Sequence, residues 1–253
     1  MSEIDLSGLL QEWPYEPGRI QVRRINGQDG RPKIQLRVEL GVLQMEEHGR
    51  PDGARPEGMD SLLEYQLDRI DRYSQGGGTE SSFALSSAEC SALRDESVLY
   101  YHRYVAMFVL EEYQAVIRDT TRNLQVFDLC KNHAVEEDDR RSMEQFRPYV
   151  LMMRTRAEAS EAIKNQKPKI ALAVLDAGLE LIKSVFEEWG RVEDYESANE
   201  VMLLRGMREI LVPKLPVSEH YELRQRLQAA IDAENYELAA ILRDELRQVD
   251  PGP

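Results

Sequence analysis

Four histidines and two cysteines are the side chains best suited to acid–base, nucleophilic or metal chemistry, and their spacing supports none of it. His48, His102, His133 and His220 are scattered, with no His-Glu-x-x-His pair and no clustered carboxylates around them, so each is expected to be a surface or capping residue. Cys90 and Cys130 stand alone without Cys-x-x-Cys spacing, which argues against a zinc knuckle and a disulfide framework. Free cysteines of this kind are usually small buried apolar residues. Gly76-Gly77-Gly78 follows no strand and opens no helix directly, so it reads as linker and not as a phosphate cradle; a Gly-x-x-x-x-Gly-Lys-Ser/Thr loop is also absent. The expectation is a chain that is not an enzyme, with no catalytic residue, no metal and no cofactor.

Binding chemistry has more to work with. Arg19, Arg23, Arg24, Arg31, Lys33 and Arg37 meet a single acid, Asp29, before Glu39 is reached. Through Arg23, Arg24, Arg31 and Arg37 such a face could touch a phosphate backbone or an acidic partner helix, or it could be the wet side of a sheet. The whole chain carries a formal net charge of −14, which repels polyanions at long range and makes bare nucleic acid a poor partner. Tyr100, Tyr101, Tyr104, Phe108 and Tyr113 form an aromatic cluster that could line a peptide groove or pack into a core.

The elements that must position these groups change character along the chain. An apolar turn over residues 6–10 is ended by Trp13-Pro14-Tyr15 and Pro17-Gly18. Ile34, Leu36, Val38, Leu40 and Val42 then alternate with Lys33, Gln35, Arg37, Glu39 and Gly41, the period-two pattern of a strand with one wet face. Ile20, Val22 and Arg23-Arg24-Ile25 make a weaker preceding strand, and residues 26–30 between them suit a hairpin loop. Ser61 and Glu64 form a capping-box signature before Leu62, Leu63, Tyr65, Leu67, Ile70 and Tyr73, an amphipathic helix expected to cover the hairpin.

Residues 74–82 are a linker by composition. Beyond it, another capping box at Ser86 and Glu89 introduces helices that recur as pairs, 100–110 with 115–129 and 149–163 with 170–186, broken at Glu111-Glu112-Tyr113 and at Asn165-Gln166-Lys167-Pro168. Ala106, Ala115, Ala159, Ala162, Ala171 and Ala173 fall near the turns, where paired helices approach closely. In this the pairs resemble tetratricopeptide repeats, although the acidic run at 136–139 interrupts any fixed period and an irregular bundle remains an alternative. A further helix is expected over 195–211. The N-terminus has no basic n-region or apolar h-region, and no window approaches the roughly 18 apolar residues of a membrane helix, so a cytoplasmic chain without a membrane span is expected.

After a second linker at 213–220 comes a pair of short helices. Leu223, Leu227 and Ile231 lie four apart on one face; Ala239, Leu242, Leu246 and Val249 follow at three- and four-residue steps on the second helix. Asn235 tolerates the turn, and Ala239-Ala240 allows close approach. Leu223, Leu227 and Ala230-Ile231, followed by Tyr236-Glu237-x-Ala239-Ala240-x-Leu242-Arg243-Asp244-Glu245-Leu246, resemble the UvrB/UvrC (UVR) motif of bacterial proteins. That motif occurs in UvrB, UvrC, the adaptor McsA and ClpC-type chaperones. The resemblance covers this segment alone and implies protein binding through Leu223, Leu227, Ala230, Ile231, Tyr236, Ala239, Leu242, Arg243, Asp244 and Leu246. It points to another protein or a second copy of this chain as partner. The nucleotidase loop of UvrB and ClpC and the cysteine pairs of McsA are missing.

The resulting organisation is mainly α: a β-hairpin/helix unit over 1–73, a tetratricopeptide-like domain over 83–212 and a UVR hairpin over 221–250. A non-enzymatic interaction or scaffold protein is the leading expectation. An accessory factor of nucleotide excision repair, recruited through UVR pairing and touching nucleic acid weakly, is the alternative.

Overall fold

The computed structural model describes residues 5–211 together with Gln228, and the helical hairpin expected over 221–250 lies outside the described residues, as does the linker before it. The chain divides into two units, Met1–Arg208 and Glu209–Pro253, and the first is described below. It is mainly α, with one small antiparallel sheet near its start.

Helix α1 (Ser7–Glu12) leads into strands β1 (Gln21–Asn26), β2 (Pro32–Val38) and β3 (Gly41–Glu46), which pair in the order β1-β2-β3. The expected hairpin is therefore a three-stranded meander. The alternating run that suggested one strand over 33–42 folds back at Glu39-Leu40, leaving Leu40 92% exposed and placing Val42 opposite Arg37. Paired residues share a face, so Val22, Leu36 and Leu43 lie on one side with Ile34 and Met45, while Gln21, Arg37 and Val42 lie on the other with Arg23, Gln35 and Gln44.

That second face was expected to be wet, and it is not: Lys33, Gln35 and Arg37 are all buried. Lys33 Nζ sits between Asp29 and Glu46, Gln35 is held by Arg23 and Gln44, and Arg37 donates to the carbonyls of Trp13, Val38 and Gly41. The Trp13 ring lies 4.2 Å below the Arg23 guanidinium. Long side chains bury their stems while their heads find partners, so a central strand can be covered on its polar side by its own neighbours and by the segment after α1.

Helix α2 (Leu62–Gln75) starts where Ser61 accepts from the Glu64 backbone, although the Glu64 carboxylate reaches the Asp60 amide and leaves the box half formed. It buries Leu63, Gln66 and Ile70 and packs on α3 (Ser87–Val109). The helix that packs on β1 and β2 is α3 itself, not α2 as the sequence suggested. Its own start carries the complete Ser86/Glu89 capping box.

The remaining long helices follow in a row. α3 packs on α4 (Tyr113–His133), α4 on α6 (Arg147–Lys164) and α6 on α7 (Pro168–Glu188), with the short α5 (Glu137–Ser142) between α4 and α6. The expected helix over 195–211 is instead α8 (Val192–Tyr195) and α9 (Asn199–Leu211), separated by a turn at Ser197-Ala198. Ala106, Ala159, Ala162 and Ala171 are buried as close approach requires, whereas Ala115 is half-buried and Ala173 faces solvent. At Gly178 of α7 any Cβ would overlap the Thr155 side chain of α6.

Both predicted breaks are C-terminal caps of one kind. Glu112 N–H donates to Met107 C=O and Glu111 N–H to Phe108 C=O; Lys167 N–H donates to Ala162 C=O and Gln166 N–H to Ile163 C=O. Glu111 and Gln166 take φ of 58° and 57°, the left-handed conformation that this cap usually gives to glycine. An L side chain there costs about 1–2 kcal/mol. Gln166→Gly is accordingly expected to raise folding stability by about 1 kcal/mol, read as an upward shift of the urea midpoint at unchanged slope; a fall in midpoint would contradict this account of the turn.

Candidate functional site

Two features of the first unit stand out physically: a buried polar junction and an aromatic cavity, on different sides of α3. At the junction, Arg103 Nε and Nη2 donate to the two Asp119 oxygens at 2.7 and 2.8 Å, with both side chains 1% exposed. Arg103 Nη1 continues to the carbonyls of Glu46 and Gly49, and Arg118 reaches Asp119 and the Glu47 carbonyl. Alongside, the buried Glu96 carboxylate accepts from the Leu62 amide and faces Arg50 and Arg122. The Tyr100 ring lies between Arg103 and Arg122, 4.9 and 4.1 Å from their guanidinium carbons. Every charge here has an opposite partner inside the fold, which marks the junction as the clamp that fastens β3 and α2 to the helical row.

The cavity is different. It measures about 460 Å³ and opens among α3, α4 and the start of α6. Tyr101, Tyr104 and Val98 come from α3, Phe127 from α4, and Phe146 and Tyr149 from the α6 end, with Val98, Tyr101 and Phe146 exposed at its rim. Tyr101 meets Tyr104 edge-on at 5.6 Å and Tyr149 at 6.2 Å. Burial pushes the Tyr149 phenol up to about 12 and moves Tyr104 in the same direction, with neighbouring phenols adding to both. Near neutral pH both therefore remain hydrogen-bond donors. Tyr104 is 1% exposed, yet its hydroxyl has no hydrogen-bond partner among the described residues. Arg94 also lines the cavity and makes no ion pair or hydrogen bond among the described residues.

His102, at the same wall, is shifted below the usual histidine range by burial. As pH falls past about 6.5, the unfolded chain takes up this proton before the folded one does. Stability contributed by His102 is thus complete above that pH and is lost as pH drops through the lower folded value. Thermal midpoints measured from pH 7.5 to 5 should fall less steeply for His102→Gln than for the parent chain; parallel curves would contradict the assignment.

The sequence-predicted residues scatter among these features. Of the aromatic cluster, Tyr101 and Tyr104 reach the cavity and Tyr100 the junction, whereas Phe108 and Tyr113 pair with each other at 5.6 Å. Of the four arginines proposed for phosphate contact, Arg37 is buried on backbone carbonyls and Arg24 is paired with Glu47 and Glu112. Arg23 is held by Gln35 and Trp13, leaving Arg31 exposed. A continuous basic face does not form. Arg94, Phe127, Phe146 and Tyr149 were not legible as site residues, since they lie up to 55 positions apart on separate helices. Cys90 and Cys130 are buried as expected and lie near each other. No group of His, Cys, Asp and Glu suited to a metal occurs among the described residues, and no described helix is long and apolar enough to cross a membrane.

Leu223, Leu227, Ala230, Ile231, Tyr236, Ala239, Leu242, Arg243, Asp244 and Leu246 lie outside the described residues. They fall inside the segment that comparison with protein families picks out. No curated protein and no solved structure matches the chain, and residues 219–250 match the UvrB/uvrC motif.

Proposed function

We propose that this chain is a non-enzymatic association protein whose UvrB/uvrC-motif segment, residues 219–250, supplies its contacts with a partner. The match to that motif is the observation that carries the reading, and physical chemistry supports it. About thirty residues cannot enclose a core of their own, since chains below about 40 residues usually need a staple or a partner. Leucines at four-residue spacing then serve to meet another surface. The partner is a second copy of this chain or a protein carrying a similar hairpin. Helices α3 to α7, a tetratricopeptide-like row in which each long helix meets the next, form the body that the hairpin recruits.

Accessory nucleic-acid binding is the weaker reading: Arg37 is buried on backbone carbonyls, the exposed Arg24 is paired with Glu47 and Glu112, and the net charge of −14 opposes it.

Light scattering after size exclusion tests self-association. The full chain is expected as a dimer and a truncation ending at Leu215 as a monomer, and the full-length chain with Leu227→Asp and Leu242→Asp should be monomeric as well. Equal monomeric masses would exclude a homodimer. Pull-down with the 219–250 segment as bait then addresses the heterotypic case, and retention no different from that of the doubly substituted bait would end the association reading.

A further inference from the structure

The cavity among α3, α4 and α6 is not needed by an association role for residues 219–250, and three observations give it a purpose of its own. Its volume of about 460 Å³ falls within the ordinary range for small-molecule sites, roughly 300–1,000 Å³. Its wall is almost wholly aromatic and aliphatic, and Val98, Tyr101 and Phe146 stand exposed at the mouth. A folded chain gains by covering such a surface.

The polar groups are few, and two of them, Ser97 and Asn123, are already bonded to each other and to Arg122. The Tyr104 hydroxyl has no hydrogen-bond partner among the described residues, which leaves a donor at the cavity wall for a ligand to engage. Arg94 at the same wall makes no ion pair among the described residues, in a unit where Arg103, Arg122 and Arg147 each face a carboxylate. His102 is the other titratable nitrogen on the wall, and no Asp or Glu lines it. Phenol donors and one guanidinium, with no carboxylate opposing them, recognise an acceptor carrying negative charge.

We propose that this cavity binds a small apolar monocarboxylate, its hydrocarbon or aromatic body among Tyr101, Phe127, Phe146 and Tyr149 and its carboxylate held by Arg94 and the Tyr104 hydroxyl. The compact shape favours a free small molecule over an extended peptide, which needs a groove rather than a pocket.

Calorimetric titration of the full chain with decanoate, 1-decanol and decylamine provides the test. Decanoate is expected to bind at least tenfold more tightly than 1-decanol, with decylamine weakest. Arg94→Gln should reduce the preference for decanoate over 1-decanol to threefold or less while leaving 1-decanol unchanged. Tyr104→Phe should weaken decanoate alone, and Val98→Trp, which fills the mouth, should weaken both. Circular dichroism on each variant verifies folding. Absence of saturable decanoate binding below about 1 mM, a value near the weak end of specific recognition, would overturn the proposal. So would an undiminished preference in Arg94→Gln, or tighter binding of an acidic aromatic tripeptide than of decanoate.

Discussion

Asp119→Ala should cost about 3–5 kcal/mol of folding free energy, because it leaves the Arg103 guanidinium buried without its counter-charge. Arg103 and Asp119 are each 1% exposed, so water cannot replace the lost partner. At roughly 2–4 °C per kcal/mol for a chain of this size, the thermal midpoint should fall on the order of 10 °C. A loss under about 1 kcal/mol, typical of an exposed pair, would show that the pair is not closed off as described. The reverse design separates two roles of Arg103. Arg103→Met with Asp119→Leu removes both charges, and apolar replacement of a buried pair is often nearly neutral. Here the recovery should be only partial, because the carbonyls of Glu46 and Gly49 lose the Arg103 donor as well. Full recovery would mean that the bonds to the β3 end contribute little.

Gly178→Ala should also destabilise, against the local trend. In an exposed helix that change gains roughly 1 kcal/mol. At this position the new methyl would overlap Thr155, including its Cβ at 2.8 Å, so α6 and α7 must move apart. Overpacking of this kind typically costs about 1–3 kcal/mol. Adding Thr155→Ala relieves the overlap, and the double substitution is expected to be more stable than Gly178→Ala alone. Additive losses in a urea double-mutant cycle would place the two residues out of contact.

Local signals described much of this fold correctly. Capping chemistry at Ser86 and Glu89 placed the start of α3. The breaks at 111–113 and 165–168 became helix ends because Glu111 and Gln166 turn the chain through a left-handed residue. Periodicity found α4, α6 and α7 within a few residues, since an apolar stripe three and four apart has one conformation that buries it.

Alternation misled where two solutions share one pattern. Ile34 to Val42 reads equally well as a single strand or as two strands joined by Glu39-Leu40; partners for three strands, and not the run itself, decide between them. The same limit hid the fate of Lys33 and Arg37. Their charges suggest water, and only Glu46, Asp29 and the Trp13 carbonyl, brought in by the meander and by the segment after α1, make burial tolerable.

What the residues determined alone is therefore the helical character of the chain, its caps and breaks, and the UVR-like segment expected over 221–250, where the family match spans 219–250, each of which depends on neighbours within a few positions. What only the tertiary structure decided is which side chains face each other: Arg103 with Asp119, Cys90 with Cys130, and the cavity of Tyr101, Tyr104, Phe127 and Tyr149 beside Arg94. Helical spacing states which face of one helix is apolar. It carries no information about the face that meets it, because that choice is made by packing the whole row.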